Sequence, residues 1–172
     1  MFEERSNTMT TYKQLKKYSD QFGFTKEMEK LGFSIGPDDF WFYRHRGSYL
    51  DIISFWLGSS KRFVKIPIDC QKNGLIPRVD MDKFPKGFTE DYGVGSGCYM
   101  DDEGLAFASE RWEVETKDKV KETFSEVLKL IKSHAEPWFK NITTDEKMFY
   151  SYSLAMQESP FGLDLWKKLN IK

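Results

Sequence analysis

Few residues in this sequence could act as metal ligands or as a nucleophile with its base. The histidines are His45 and His134, and the cysteines are Cys70 and Cys98. Zinc sites usually include two ligands that lie a few residues apart, and no pair among these four has that spacing. They also do not suggest a Ser-His-Asp or Cys-His arrangement. We therefore predict no metal site, no cofactor and no catalytic residues from this set.

Acidic residues are most concentrated at Asp101-Asp102-Glu103, and three further glutamates follow between positions 110 and 115. Paired carboxylates can bind Mg²⁺ or divide acid and base roles, so a metal-dependent hydrolase or nucleotide-handling enzyme is one interpretation. The other is a negative surface that meets a basic partner protein. We favour the partner-binding interpretation, and its predicted contact residues are Tyr92, Tyr99, Asp101, Asp102 and Glu103.

An aromatic run provides a second alternative. Trp41, Tyr43 and Arg44 share it with His45 and Arg46, a combination found on sheets that stack single-stranded nucleic-acid bases. Core packing explains the rings equally well. The chain has 26 basic and 27 acidic residues, whereas proteins that rely on phosphate contacts carry a basic surplus. Nucleic acid is therefore not the expected partner.

The segment Gly93-Val94-Gly95-Ser96-Gly97 resembles part of a phosphate-binding loop, in which glycines let backbone amides approach an anion. A phosphate loop of this kind follows a strand, precedes a helix and continues into Lys-Ser or Lys-Thr. None of these features is present in the sequence. The pattern therefore favours a flexible loop.

The elements that must position these residues are organised around Phe40–Cys70. Three aromatic and β-branched runs are separated there by Gly47-Ser48 and Gly58-Ser59-Ser60, which predicts an antiparallel meander. The middle run, Tyr49–Leu57, has apolar residues on both faces and is predicted to be a central strand. Pro67 has no amide hydrogen to donate, so the third run is expected to have an edge or a bulge there.

A fourth strand is predicted over Leu105–Val114, joining the meander. Before the meander, helical spacing predicts a helix from Thr10 or Thr11 to Phe22. After it, an apolar stripe predicts the strongest helix, with Thr116 as N-cap and Pro137 ending it. The stripe consists of Val120, Phe124, Val127, Leu128 and Ile131.

A further helix is predicted to begin with Thr143 as N-cap and Glu146 completing a capping box. This order of elements predicts an α+β fold: a curled antiparallel sheet of four or more strands with helices packed on one face. The length predicts one domain over residues 1–172. Residues 1–9 are expected to fray, and 71–104 to form an irregular loop region with candidate strands at 75–79 and 97–100.

No apolar run reaches the length of a membrane span, and no charged-then-apolar leader is visible in the sequence. We therefore expect a cytoplasmic protein whose cysteines are reduced thiols.

Several short motifs together resemble a bacterial family of small α+β domains of unknown function. Met28-Glu29-Lys30-Leu31-Gly32-Phe33 fits loosely the Leu-x-x-x-Gly-Phe signature that closes the first helix of that family. The landmarks that follow are Phe42-Tyr43-Arg44, Gly47, Leu50–Phe55, Arg62-Phe63-Val64 and Glu136-Pro137-Trp138-Phe139. The resemblance covers about Thr10 to Phe149. It implies no catalytic residues, and it implies a role in bacterial conflict loci.

The function predicted from these observations is that of a non-enzymatic inhibitor or immunity-type protein from a bacterial or phage conflict system. It would act by occluding a partner protein, such as a toxin or a defence component. The metal-dependent enzyme and the single-stranded nucleic-acid binder remain the alternatives.

Overall fold

A bent β-hairpin over residues 49–72 runs through both sheets of the structure. The computed structural model describes residues 10–72, 98–101, 104–106, 111–152 and 157–169. The strands are β1 (Ser34–Ile35), β2 (Trp41–Arg46), β3 (Tyr49–Ser54), β4 (Trp56–Leu57), β5 (Phe63–Lys65), β6 (Pro67–Lys72), β7 (Cys98–Asp101), β8 (Gly104–Ala106) and β9 (Trp112–Glu113). The helices are α1 (Tyr12–Gln21), α2 (Phe24–Lys30), α3 (Lys117–Leu130), a π turn (Ile131–Ala135), α4 (Glu136–Asn141), α5 (Asp145–Tyr150) and α6 (Pro160–Leu169).

The strands form a six-stranded sheet with the order β1-β2-β3-β6-β7-β8 and a three-stranded sheet with the order β4-β5-β9. Neighbouring strands in both sheets are antiparallel. Phe55 separates β3 from β4 and Ile66 separates β5 from β6, and both side chains are buried. The hairpin therefore bends at these two residues and passes from one sheet to the other, which confirms the predicted curled antiparallel sheet.

The first part of the predicted middle run, Tyr49–Ser54, is confirmed as a central strand, because β3 lies between β2 and β6 and all six of its residues are buried. The end of the run, Trp56–Leu57, is instead an edge strand of the small sheet and is partly buried. The third run is divided, since Phe63–Lys65 belongs to the small sheet and Pro67–Lys72 to the large one. Pro67 is not in an edge strand. It is the first residue of β6, a position at which a missing amide donor is tolerated.

The prediction of one strand over Leu105–Val114 is wrong. Gly104–Ala106 pairs with β7 in the large sheet, whereas Trp112–Glu113 pairs with β5 in the small sheet. Residues 107–110 lie outside the described part of the chain. An alternating pattern is compatible with either sheet, so the sequence did not reveal that its two ends pair in different sheets. The predicted candidate strand near 97–100 is present as β7, and the one at 75–79 is outside the described residues.

The predicted starts of α1 and α3 are confirmed. The Thr11 hydroxyl accepts a hydrogen bond from the Gln14 amide, and the Gln14 side chain accepts one from the Thr11 amide, forming a capping box. Thr116 caps α3 through the amide of Lys119. Gly23, with φ of 77°, separates α1 from α2, since glycine adopts this left-handed conformation at little cost.

Pro137 does not end the long helix as predicted. The chain widens into the π turn, in which the Glu136 amide donates to the Ile131 carbonyl, and then continues as α4. Pro137 lies in the first turn of α4, where an amide hydrogen is not required. A π turn inside a helix is uncommon and often occurs near functional sites.

The predicted N-cap of α5 is displaced by one residue. Thr144, not Thr143, accepts a hydrogen bond from the amide of Lys147, so Glu146 does not complete a capping box.

We expect Thr144→Ala to destabilise the protein by about 1 kcal/mol, because it leaves a helix amide without its partner. Thr143→Ala is the matched control and should have almost no effect. Urea denaturation measures both, and equal losses would contradict this assignment.

The helices cover one face of the large sheet. Phe42, Ile53 and Ile68 point to this face and share one hydrophobic core with buried residues from the helices. The contributing helical residues include Leu15, Met28, Val120, Phe124, Val127, Ile131, Phe139, Met148 and Leu165. Among the described helices, none has the length and apolar character needed to cross a membrane.

Candidate functional site

A buried network of charged side chains lies on the helix-covered face of the large sheet. Asp51 at the centre of β3 has no exposed surface, and it faces Arg44 and Arg46 of β2. Its Oδ2 accepts hydrogen bonds from Arg44 Nε (3.1 Å), Arg44 Nη2 (2.9 Å) and Arg46 Nε (3.0 Å). Its Oδ1 accepts one from Arg46 Nη2 at 3.1 Å. Such bonds offset the cost of removing a carboxylate from water.

Arg44 connects this network to two helices. Its Nη1 donates to the carbonyl of Leu31 at the end of α2 (2.9 Å) and lies 2.8 Å from Glu136 Oε1 of α4. The guanidinium also stacks 4.3 Å from the ring centroid of Phe33. A positive charge at a helix C-terminus interacts favourably with the helix dipole. Arg44 therefore joins α2 and α4 to the sheet.

Arg46 makes the corresponding connection to the end of α4. Its Nη1 donates to the carbonyl of Ile142 at 2.7 Å, and its Nη2 lies 3.6 Å from Cys70 Sγ. Burial raises the pKa of the Cys70 thiol, and the nearby Asp51 and Asp69 raise it further, outweighing the opposite effect of Arg46. Cys70 is therefore a protonated core thiol, which does not serve as a nucleophile near neutral pH.

A second polar cluster joins α5 to the same face. Asp145, the first residue of α5, accepts hydrogen bonds from Tyr49 Oη at 2.8 Å and from Lys72 Nζ at 2.6 Å. Burial acts to raise the pKa of the Asp145 carboxyl, but the bonds from Lys72 and Tyr49 outweigh it and lower that pKa. Burial and the bond to Asp145 raise the pKa of Tyr49 to about 12.

These shifts predict the pH dependence of the cluster. Because the pKa of Asp145 is lower in the folded protein, its contribution is complete above the ordinary carboxyl pKa of 3.8 and is lost as the pH falls further. Asp145→Asn should cost about 1 kcal/mol at neutral pH. The difference from wild type should shrink below a pH of about 4, as urea denaturation at several pH values will show. A difference that stays constant down to strongly acidic pH would contradict this.

The predicted acidic contact site falls partly within the described residues. Tyr99 and Asp101 lie in β7, where Tyr99 pairs with Pro67 and Ala106, and Asp101 pairs with Gly104 of β8. Tyr92, Asp102 and Glu103 lie outside the described residues, as does the glycine-rich segment 93–97. Within the described ranges, no group of three or more histidine, cysteine or acidic side chains is arranged to hold a metal ion.

The residues of the predicted nucleic-acid surface lie on opposite faces of β2. Arg44 points into the buried network, whereas Trp41 and Tyr43 point to the other face, since side chains alternate along a strand. Their ring centroids are 5.6 Å apart, and Trp41 Nε1 donates to the Pro37 carbonyl at 2.9 Å. The structure therefore brings Trp41 and Tyr43 together and separates Arg44 from them.

A serine and a histidine that the sequence analysis did not pair come together on the π turn. Ser133 Oγ lies 2.7 Å from His134 Nδ1, and it also donates a hydrogen bond to the Lys129 carbonyl at 2.9 Å. Which group donates in the serine–histidine contact depends on the histidine tautomer. Both side chains are exposed, whereas an activated serine also needs a base that is itself oriented by a third group.

The buried network itself was missed by the sequence analysis, although one signal indicated it. An aspartate within a strand that is apolar on both faces needs a cationic partner, because an unpaired buried carboxylate is costly. Arg44 and Arg46 lie two residues apart on the preceding run, so their side chains share a face. The helical partners Leu31, Glu136 and Ile142 are distant in sequence and had no comparable signal.

An aromatic surface lies on the outside of α5 and α6. Tyr150 and Leu163 are 53% and 56% exposed. The ring centroid of Tyr150 lies 5.9 Å from that of Trp166, and buried Phe149 lies 5.0 Å from Trp166. Leu163 precedes Trp166 by three residues and so lies beside it on α6. We refer to Tyr150, Leu163 and Trp166 as the α5–α6 surface.

Comparison with models of known protein families, with curated proteins and with solved structures gave no match. The resemblance to a bacterial family of unknown function therefore stays a prediction.

Proposed function

We propose that this protein binds another protein and occludes it, acting as an inhibitor or immunity-type protein of a bacterial or phage conflict system. The observation that carries the proposal is the exposed α5–α6 surface. Tyrosine and tryptophan are enriched among residues that dominate binding energy at protein interfaces. The conflict-system role is supported by the sequence resemblance and by no structural observation.

The α5–α6 surface is suited to binding because its rings are already held in place. Trp166 is partly buried and packs against Phe149, which is itself 5% exposed and belongs to the hydrophobic core. Asp145 holds the start of α5 to the sheet through Tyr49 and Lys72. A surface fixed before contact loses little conformational entropy on binding, so more of the contact energy contributes to affinity.

The network of charged side chains has a structural role, and it is separate from the α5–α6 surface. Arg44, Arg46, Asp51 and Glu136 are two positive and two negative charges, and the contacts described above join them to one another and to backbone carbonyls. Their geometry connects helices to the sheet. This arrangement supports a rigid binding protein, in which the charges stabilise the framework that presents the surface.

The test compares two double variants with the wild-type chain. Tyr150→Ser with Leu163→Ser removes apolar area from the surface, and Glu126→Ser with Lys129→Ser changes two exposed residues of α3 as a control. Each tagged protein is used to capture proteins from the native host, and mass spectrometry quantifies what is retained. We expect a protein that wild type and control retain and that the surface variant loses by roughly tenfold or more.

The captured protein is then purified and titrated with each variant by calorimetry. The proposal requires weaker binding by the Tyr150→Ser, Leu163→Ser variant and a fall in the partner's own activity when wild type is added. If the purified protein binds the surface variant as tightly as wild type, or keeps its full activity when saturated, the proposal is wrong.

A further inference from the structure

We propose that a second surface, between α1 and the start of α3, binds an acidic, partly apolar segment of a protein. We refer to Tyr18, Phe22, Lys17, Lys117 and Lys121 as the lysine–aromatic surface. It shares no residue with the α5–α6 surface, and it goes beyond the proposed function because it specifies the chemistry of what is bound.

Two stacked rings form the middle of this surface. Tyr18 of α1 and Phe22, the C-cap residue of that helix, are four residues apart and both are partly buried. Their ring centroids are 5.7 Å apart, with planes inclined by 19°. Lys117 Nζ of α3 lies 5.8 Å from both ring centroids, and Lys121 Nζ lies 5.8 Å from that of Phe22. The rings therefore lie beside two ammonium groups, a geometry in which each attracts the other.

The charge of these lysines is not balanced by nearby carboxylates. Lys119, between them in sequence, lies 3.2 Å from Glu122 and 3.7 Å from Glu113. No carboxylate of the described residues lies within 4.0 Å of the ammonium group of Lys117 or Lys121. The helical rotation of 100° per residue places Asp118 about 60° from Lys121 around α3, and Glu122 and Glu126 about 100° or more from it. The two charged groups of α3 that lie beside the rings are therefore those of Lys117 and Lys121.

Exposed residues of α1 add both signs of charge near this surface. Lys17 is exposed and adjacent in sequence to Tyr18, Lys13 lies one turn earlier, and Asp20 is exposed three residues after Lys17. The charges placed directly beside the rings are those of Lys117 and Lys121 of α3. A segment with carboxylates beside apolar side chains matches this arrangement, because the carboxylates meet ammonium groups while the apolar groups cover the ring edges.

Nucleic acid fits the same surface less well. Base stacking needs an open ring face, whereas here the two rings stack on each other and lie close to ammonium groups. The net charge of −1 also opposes binding driven by phosphate contacts. The observations therefore favour an acidic protein segment, and nucleic-acid binding becomes an outcome that the test can detect.

The test measures binding of labelled probes by fluorescence anisotropy. The probe is a synthetic peptide of alternating glutamate and leucine, about 12 residues long and so about 40 Å when extended. The same peptide with glutamine for glutamate and a labelled oligothymidylate serve as comparison probes. The test variant is Lys117→Glu with Lys121→Glu. The control, Lys129→Glu with Lys147→Glu, makes the same change in net charge at exposed sites elsewhere.

We expect wild type and control to bind the glutamate peptide roughly tenfold more tightly than the glutamine peptide, and less tightly as salt is added. The Lys117→Glu, Lys121→Glu variant should lose this preference. Equal binding of both peptides by wild type, an unchanged preference in the test variant, or tighter binding of oligothymidylate would each overturn the proposal. The Tyr150→Ser, Leu163→Ser variant should keep the preference, so this test and that of the α5–α6 surface can fail separately.

Discussion

Replacing Asp51 with asparagine should lower the free energy of unfolding by about 3 to 5 kcal/mol. The side chain of Asp51 is fully buried and accepts four hydrogen bonds from Arg44 and Arg46. The variant keeps the size of the side chain but leaves two partly buried guanidinium groups with Glu136 as the remaining carboxylate of the network. Urea denaturation monitored by tryptophan fluorescence measures the loss.

The exposed ion pair between Arg62 and Glu115 provides the control. Its atoms are 3.6 Å apart and both side chains are more than half exposed, so Glu115→Ala should change stability very little. Adding Arg46→Met to Asp51→Asn should restore part of the lost stability, because it removes a partly buried charge that has lost its carboxylate partner. A loss below about 1 kcal/mol for Asp51→Asn would show that the network does not hold the fold together.

Replacing Phe124 with alanine should cost about 3 to 5 kcal/mol, because the cavity it leaves lies between the sheet and two helices. Phe124 of α3 is 2% exposed. Its ring stacks on Phe24 of α2 at 4.6 Å between centroids and lies 5.8 Å from Phe40 and 6.1 Å from Phe55. Thermal unfolding and urea denaturation should both show the loss.

Two further variants distinguish packing from a general effect of losing an aromatic ring. Phe124→Leu leaves a smaller cavity and should cost less than Phe124→Ala. Tyr150→Ala removes an exposed ring and should change the free energy of unfolding only slightly, since Tyr150 is 53% exposed. If Phe124→Ala and Tyr150→Ala have similar effects, the aromatic cluster is not the main contact between α3 and the sheet.

The two proposed binding surfaces depend on these buried contacts. The lysine–aromatic surface requires α3 to stay beside α1, and Phe124 holds α3 against the sheet. The α5–α6 surface requires α5 to stay on the sheet, which Tyr49 and Lys72 hold through Asp145. The surface variants avoid these contacts, so a loss of binding can be separated from a loss of folding.

Local patterns predicted much of the architecture. The β3 run is apolar on both faces, and it is a central strand because such residues are stable only where both sides are covered. The stripe from Val120 to Ile131 predicted α3. Its members Val120, Phe124 and Val127 are buried. These predictions succeeded because the spacing of apolar residues within a single segment indicates which of its faces is buried.

The errors concern the exact ends of helices and features that depend on distant parts of the chain. A proline normally ends a helix, but the π turn before Pro137 allows the chain to continue as α4. The Leu105–Val114 run supplies strands to two sheets because β5 pairs with Trp112 while β7 pairs with Gly104–Ala106. Arg44 was interpreted as a surface residue, and its strand turns it towards Asp51, Leu31 and Glu136.

By itself, the sequence determined the α+β class, the central strand and the starts of α1 and α3, because periodicity and capping act over a few neighbouring residues. Only the tertiary structure decided which charges are buried and which rings lie at the surface. Arg44 and Lys117 are both cations near aromatic rings, yet Arg44 is enclosed with Asp51 and Glu136 whereas Lys117 is exposed. That difference arises from contacts between residues that are far apart in the chain. A pattern within a few neighbouring residues does not predict such contacts.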